Sequence, residues 1–536
     1  MPPLLLRTDL ATRYRYSQGA GIYRIVPAAV GRPASVAELR ALLAASRERE
    51  LTITPRGAGS AMPGDNVGSG LVLDLTAIDQ GRCEIDPSGR RADVTPSLAL
   101  AALNRAAAPH GLRFPVDPSS AGWATLGGMV STNAAGPHSV RAGSVRRWVR
   151  RLVLETADGP LELIRGAEPP ASHPAIARWQ ASVVPLLHRH AATIAARFPR
   201  VRKNSAGYAL DRYLEHEELL DIVVGSEGTL GVVTDVSVEL EQVPAVRASL
   251  RVSVRQRADL PRMIEALREF GPATLELLDR TFLQLLAASG QLPGGLELPH
   301  GAGGLLLADF EGDDPDLVRQ RVAAASRAVQ GIALDVASAT TGSEIDRLWA
   351  VRQGASPILA GLEDGRRSLQ VIEDACVPVA RLADYLDAVD SAAGRAQVDA
   401  VMFGHAGDGH VHVNLLPNLR EADWEERVRA VFGEVSEAVI RLGGTPSGEH
   451  GAGRLRAGLL PRCYGPEVMA CFRAIKLAFD PAGAFNPGVI VDDGSDPLAR
   501  LKVGAAAVPL PRDTEAYLVA IESGAAWASS RWSLSQ

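Results

Sequence analysis

Three loops of small residues, each placed where a strand pattern hands over to a loop or helix, set the terms on which this chain can fold. The first, Pro55-Arg56-Gly57-Ala58-Gly59-Ser60, follows the alternating run 51–54. The second runs from Asp117-Pro118-Ser119-Ser120 through Thr125-Leu126-Gly127-Gly128-Met129 to Asn133-Ala134-Ala135-Gly136. The third is Gly225-Ser226-Glu227-Gly228-Thr229-Leu230-Gly231, with Val232 continuing into a strand pattern. Glycine lets backbone N–H groups converge on an anion with no Cβ in the way, and a helix N-terminus adds its dipole. Any one of these loops alone reads as an ordinary turn. None fits GxGxxG between strand and helix, or GxxxxGK[ST], so neither a Rossmann nor a P-loop nucleotide site is expected.

Around these loops residues 20–245 read as mixed α/β. Ser35 and Glu38 form a capping box ahead of Leu39, Leu42 and Leu43 at helical spacing. Strands are expected at 51–54, 71–75 and from Leu230, and a hairpin turning at Asp158-Gly159. From residue 246 the order becomes strand, helix (259–270), strand (273–279), strand (305–312), helix (315–329), strand (332–338). That is the β-α-β-β-α-β, ferredoxin-like pattern. Part of it recurs as a strand at 369–374, a helix at 379–393, paired strands at 399–405 and 410–416, and a helix at 421–442. The expected fold class is α+β. Expected boundaries are 1–245, 246–479, a return at 480–500, and a tail, 501–536, with a helix near 514–529 and no assigned role.

Composition narrows the function. With 46% apolar and 22% charged residues the chain is an ordinary globular one, and no run reaches the roughly 18–20 apolar residues of a membrane span. A net charge of −6 gives no general footprint for nucleic acid. Cys83, Cys376, Cys463 and Cys471 lack CxxC spacing, so no iron–sulfur cluster, zinc ribbon or disulfide framework is expected. The first residues carry too short an apolar run for a signal peptide. A cytoplasmic location is expected, with peripheral contact at the inner face of a membrane left open.

The densest chemistry lies in Phe403-Gly404-His405-Ala406-Gly407-Asp408-Gly409-His410-Val411-His412-Val413-Asn414. Asp-Gly between apolar runs predicts a two-residue hairpin turn, pairing His405 with His412. Alternation then puts His405, His410 and His412 on one face, where cross-strand imidazoles sit close enough to share a metal ion. A third ligand has to come from elsewhere. Ser447-Gly448-Glu449-His450-Gly451 offers Glu449 as a ligand and His450 as a base beside the ion.

Together and in this order, the three loops resemble the FAD-binding domain of the vanillyl-alcohol oxidase / para-cresol methylhydroxylase flavoproteins. Arg202-Lys203-Asn204-Ser205-Ala206-Gly207-Tyr208 and Asp480-Pro481 through Asn486-Pro487-Gly488 match further segments of that family. HxGDGxxHxN with GEHG is similar to its D-2-hydroxyacid dehydrogenase branch, which holds D-lactate dehydrogenases, D-2-hydroxyglutarate dehydrogenases and the flavin subunit of glycolate oxidase. The resemblance spans residues 25 to 492. It implies an FAD-binding domain of vanillyl-alcohol-oxidase type plus an α+β cap domain with an antiparallel, ferredoxin-like sheet.

The resemblance also implies roles. FAD contacts would come from Pro55, Arg56, Gly57, Ala58, Gly59 and Ser60, from Pro118, Ser119, Ser120, Thr125, Gly127, Gly128, Asn133, Ala135 and Gly136, and from Glu227, Gly228, Gly231, Val232 and Asn486. Ser60 stands where covalent members carry His, so non-covalent FAD is expected. The metal ligands would be His405, His412 and Glu449, with His450 the catalytic base. Zinc is the expected ion, with manganese and iron as alternatives. Whether His410 also ligates is open, as is the effect of Ala452 where Asp often follows EHG. Arg352, in a WxxR segment, would bind the substrate carboxylate, joined by Ser356 and Asn414. Ile372 occupies the place of a Lys that hydroxyglutarate enzymes use, though Arg366 and Arg367 lie nearby. A D-lactate-like D-2-hydroxy acid is therefore favoured over D-2-hydroxyglutarate or glycolate. Nothing marks a nicotinamide site, so a quinone, a cytochrome or an electron-transfer flavoprotein is the expected acceptor. Homo-oligomerisation is left open. The rival readings are a flavin transferase of the alkyl-dihydroxyacetone-phosphate synthase type and a non-catalytic flavin subunit. Both should lack the two-His-plus-Glu set.

Overall fold

Apolar alternation and glycine loops build two sheets at the start of the chain. A computed structural model describes residues 6–288, 301–353, 359, 362, 365–524, 526–527 and 531–532. A four-stranded sheet runs in the order Leu6–Arg7, Ala29–Gly31, Leu71–Asp74, Ile53–Arg56. Its last two strands are parallel, so Ile53–Arg56 delivers the first glycine loop at its C-terminal end. The helix Val36–Glu48 follows the predicted cap: Ser35 Oγ accepts from Glu38 N at 3.2 Å, and Glu38 Oε2 accepts from Ala34 N at 2.7 Å. The second sheet is antiparallel, in the order Cys83–Asp86, Arg91–Val94, Val232–Glu239, Val149–Thr156, Gly159–Ile164. Thr156 pairs with Gly159, so the hairpin turns at Ala157-Asp158, one residue earlier than expected. Its core takes in Leu126, Met129 and Val130 of the helix Leu126–Thr132, which Thr125 caps through Gly128 N at 3.3 Å.

The ferredoxin-like pattern is realised in full. Six antiparallel strands lie in the order Asp335–Ala339, Val246–Val254, Gly304–Gly312, Thr274–Asp279, Asp399–Gly404, His412–Leu416. In the sequence numbering of the β-α-β-β-α-β unit the first four are 4-1-3-2, and the histidine hairpin is added at the edge beside strand 2. The helices Leu260–Arg268, Pro315–Gln330, Leu382–Ala396 and Trp424–Arg441 bury their apolar faces in one core with this sheet. The expected strand at 369–374 is reduced to single bridges, Leu369 to Leu415 and, beyond it, Cys376 to His410 and Thr445. Between them the chain turns Glu373 and Asp374 inward to the histidines. The helix Arg280–Ala288, unforeseen from the sequence, follows strand Thr274–Asp279.

The return to the first domain comes before residue 480. The helix Leu460–Phe479 packs Tyr464, Val468, Phe472 and Phe479 into that domain's core with Trp179 and Tyr208. The tail helix is Arg512–Ser523, against the helix Leu10–Arg15. Among the described residues no helix is long and apolar enough to cross a membrane.

Candidate active site

The histidine hairpin forms, with a different turn. Phe403 lies opposite His412 and Val401 opposite Asn414, while Ala406–Asp408 makes a 3-10 turn closed by Gly409 at φ 73°. His405 and His412 are therefore not a strand pair. The cause is Asp408, whose carboxylate leaves the turn to accept from Ser139 Oγ at 2.6 Å and Arg202 Nε at 2.8 Å. A two-residue change of register preserves which face each side chain takes. The three imidazoles still converge, with ring centroids 5.3 Å apart for His405–His410 and His405–His412, and 4.7 Å for His410–His412.

Two of these rings have one nitrogen anchored and the other aimed at Glu449. His405 Nδ1 donates to Glu276 Oε1 at 2.5 Å, and His412 Nδ1 donates to the Glu373 carbonyl at 2.7 Å. Glu449 Oε1 then lies 3.3 Å from His405 Nε2 and 3.4 Å from His412 Nε2. Ligands at 2.0–2.1 Å around a tetrahedral ion are about 3.3–3.4 Å from one another, and metal-bound His characteristically donates its other N–H to an acceptor. The donor set therefore fits a divalent ion. His410 is fully buried and differently occupied: Nε2 meets Asp374 Oδ1 at 2.9 Å and Nδ1 faces Lys203 Nζ at 3.3 Å. Burial and the Lys203 ammonium pull its pKa down to about 4. It does not line the cleft that His405, His412, Glu449 and His450 share.

A buried acidic pair supports the set from behind. Glu373 Oε2 accepts from His450 Nδ1 at 2.5 Å, and its other oxygen accepts from Arg456. Asp374 accepts from Ser447 Oγ and from His450 N at 2.9 Å, fixing the EHG loop. Burial disfavours charge on His450, but Glu373 and Asp374 outweigh it and hold the imidazole up at about 10. For His405, burial is likewise outweighed by Glu276 and Glu449, which push it up to about 9. Glu373, Asp374, His412 and His450 could also group around an ion, but both carboxylates are taken up by these partners. Lys203 Nζ donates to Glu449 Oε2 at 2.8 Å.

The same cleft reaches the glycine loops. It is lined by the whole Pro55–Ser60 loop, Pro118–Ser120, Thr125, Gly127, Gly128, Ala135, Gly136, Glu227, Gly228, Gly231 and Val232. Among the described residues no acceptor takes the backbone N–H groups of Ala58, Gly59 or Ser60. Three unclaimed donors in succession suit phosphate oxygens, so the loop fits a dinucleotide. Asn133 and Asn486 stand behind the cleft. Asn133 Oδ1 accepts from Arg146 N at 3.0 Å, and Asn486 Nδ2 donates to the carbonyls of Asp65 at 2.7 Å and Glu227 at 2.9 Å. The Glu227 carboxylate is claimed by Ala452 N at 2.8 Å and Gly453 N at 2.7 Å, tying the third loop to the EHG loop. Arg352 also lines the cleft, held by Glu276 Oε2 at 3.0 Å over the Phe403 ring. Asn414 lines it too: its Oδ1 accepts from Ser368, and its buried Nδ2 has no partner among the described residues. Ser356 lies outside the described residues.

Sequence reading missed Glu276, Glu373, Asp374 and the placement of Lys203. The adjacent acidic pair in an otherwise apolar run was a signal for Glu373 and Asp374. For Glu276 the signal was an acid in the middle of ATLELLD, on a strand that is buried throughout.

Comparison with known proteins shows the family. Residues 27–164 match the FAD binding domain family, and residues 243–490 match the family of FAD linked oxidases, C-terminal domain. Glycolate oxidase subunit GlcD of Bacillus subtilis (strain 168) is 30% identical over 87% of this chain and 89% of its own length. D-lactate dehydrogenase of Archaeoglobus fulgidus is 29% identical over 86% of this chain and 91% of its own. D-2-hydroxyglutarate dehydrogenase of Escherichia coli (strain K12) is 28% identical over 90% of this chain, which spans only 50% of that longer protein. Among solved structures, an alkyldihydroxyacetonephosphate synthase superposes with a TM-score of 0.63 at 16% identity over 91% of this chain and 84% of that one, a likeness of fold. The chain thus belongs to the FAD-linked oxidases, an oxidoreductase family of two-domain α+β flavoproteins.

Proposed function

We propose that this protein oxidises a D-2-hydroxy acid with a small, lactate-like side chain to the 2-oxo acid, using non-covalent FAD and a divalent ion, zinc first, held by His405, His412 and Glu449. Electrons then pass to an acceptor other than a nicotinamide. One observation carries the reading: Glu449 Oε1 at 3.3 and 3.4 Å from two anchored imidazoles, in the same cleft as the unclaimed N–H groups of the first glycine loop.

Bound FAD supplies the acceptor for the α-hydrogen and its electron pair, and a divalent ion supplies Lewis acidity toward the hydroxyl. Arg352 pairs with the carboxylate and fixes the α-carbon in the cleft. His450, its Nδ1 held by Glu373, turns Nε2 toward Glu449 at 3.7 Å, where it can take the hydroxyl proton. The proton that Glu373 and Asp374 hold on His450 leaves more readily with a divalent cation beside Glu449. The free Nδ2 of Asn414 offers a donor to the substrate. A small side chain is favoured because Ile372 is buried, Arg366 is bonded to Asp399 at 2.8 Å, and neither Arg366 nor Arg367 lines the cleft.

The test is a panel of D- and L-2-hydroxy acids with an artificial dye as acceptor, before and after removal of metal by a chelator. D-Lactate and its near homologues should reduce the dye fastest, L-acids and D-2-hydroxyglutarate poorly, and chelation should abolish turnover while FAD stays bound. Full turnover by metal-stripped protein, or no flavin reduction by any acid, would refute the proposal.

A further inference from the structure

The family match ends at residue 490, and the tail beyond it folds back over the first domain. Leu518 and Ile521 of the tail helix are buried, Lys502 meets Glu522 at 2.7 Å, and the Arg24 guanidinium donates to the Val508 carbonyl at 2.8 Å. This docking carries two buried residues to the back of the Pro55–Ser60 loop. Trp527, 9% exposed, lines the cofactor cleft with Ala58 and Thr125. It also lines a smaller cavity on the far side, together with Arg56 and Arg531. Arg531, 4% exposed, lies over the Trp527 ring at 5.2 Å and donates to the Gln18 carbonyl at 2.6 Å. Arg56 donates to that same carbonyl at 3.0 Å. Two guanidinium groups thus share one neutral acceptor in the interior, and among the described residues neither is ion-paired. Burial and the charge of Arg56 pull the Arg531 pKa down to about 9. Adjacent buried cations are costly unless an anion comes close, and a diphosphate on the other face of the loop is such an anion.

We propose that the C-terminal segment is part of the FAD site: Trp527 walls the cofactor cleft beside the first glycine loop, and Arg531 seats that ring while adding positive charge behind the diphosphate. The inference rests on the reading that the cleft holds FAD.

The experiment uses the full-length, FAD-loaded protein and its Trp527→Ala and Trp527→Phe variants. FAD release after dilution is followed by free-flavin fluorescence, and melting temperatures are taken with and without FAD. Losing an aromatic wall should speed release of FAD about tenfold or more in Trp527→Ala, while Trp527→Phe stays near wild type. The FAD-dependent rise in melting temperature should shrink in Trp527→Ala, with the melting temperature of the FAD-free protein little changed. Equal release rates for Trp527→Ala and wild type would overturn the proposal. So would an equal fall in melting temperature with and without FAD, because a merely structural tail predicts that. Wild-type protein that takes up no FAD would instead overturn the cofactor reading on which the tail's role depends.

Discussion

Glu276→Gln tests the link between the proposed metal ligand His405 and the proposed carboxylate partner Arg352. Glu276 is completely buried; one oxygen accepts from His405 Nδ1 at 2.5 Å and the other from Arg352 Nε at 3.0 Å. The His405 imidazole and the Arg352 guanidinium both pull its pKa well below the usual carboxylate range, against burial. Glutamine keeps the shape but loses the charge, and its amide nitrogen must face one of two donors. One charge-assisted hydrogen bond, about 1.5–3 kcal/mol, is lost outright. Leaving the partly exposed Arg352 without its counter-charge adds to this, for a total of up to about 3–5 kcal/mol. Removing the acceptor behind a metal-bound His typically weakens metal affinity about 10–100-fold. We therefore expect the FAD-loaded variant to lose zinc to a competing chromophoric chelator at a 10–100-fold lower chelator concentration than wild type. KM for the hydroxy acid should rise as Arg352 is freed, with FAD content unchanged. Zinc affinity and KM both within twofold of wild type would refute the assignment of Glu276 as the shared anchor.

His450→Ala should keep metal and FAD but slow flavin reduction in single-turnover mixing by about 10²–10⁴-fold, whereas Glu449→Ala should lose metal; near-normal reduction in both would show that the EHG loop is a bystander. Acid precipitation should release the flavin into the supernatant, because Ser60 offers no ring nitrogen for a covalent bond; yellow pellets would contradict this. His138 bridges the two domains, meeting Asp117 at 2.6 Å and Glu311 at 3.3 Å beside Arg113 and Arg141. Burial lowers its pKa, but Asp117 and Glu311 outweigh that and raise it to about 9, so the folded state binds the proton more tightly. The resulting stabilisation, on the order of 3 kcal/mol, is complete below an unfolded pKa near 6.5 and is lost as pH rises through about 9. The melting temperature of wild type should therefore fall more steeply over that window than that of His138→Gln, and parallel curves would disprove it.

Short-range pattern fixed a good deal of this protein in advance. The helix cap at Ser35 and the β-α-β-β-α-β order depend on neighbours along the chain and took their expected form, whereas the strand expected at 51–54 lies at Ile53–Arg56 and takes in the first two residues of the glycine loop. The face shared by His405, His410 and His412 was also legible, because alternation has a period of two and survives a two-residue change of register. The turn itself was not legible. Asp408 was drawn off by Ser139, 269 residues away, and no local preference encodes that hydrogen bond. The same holds for the partners that tune the site. Glu276 reaches His405 across 129 residues and Lys203 reaches Glu449 across 246. Buried charges must find opposite charges wherever packing brings them, and only the tertiary structure says where that is. The helix Leu460–Phe479 shows the rule for apolar groups. That helix was not foreseen from the sequence; two cores were available to its apolar side chains, and it packs into the first, with Trp179 and Tyr208.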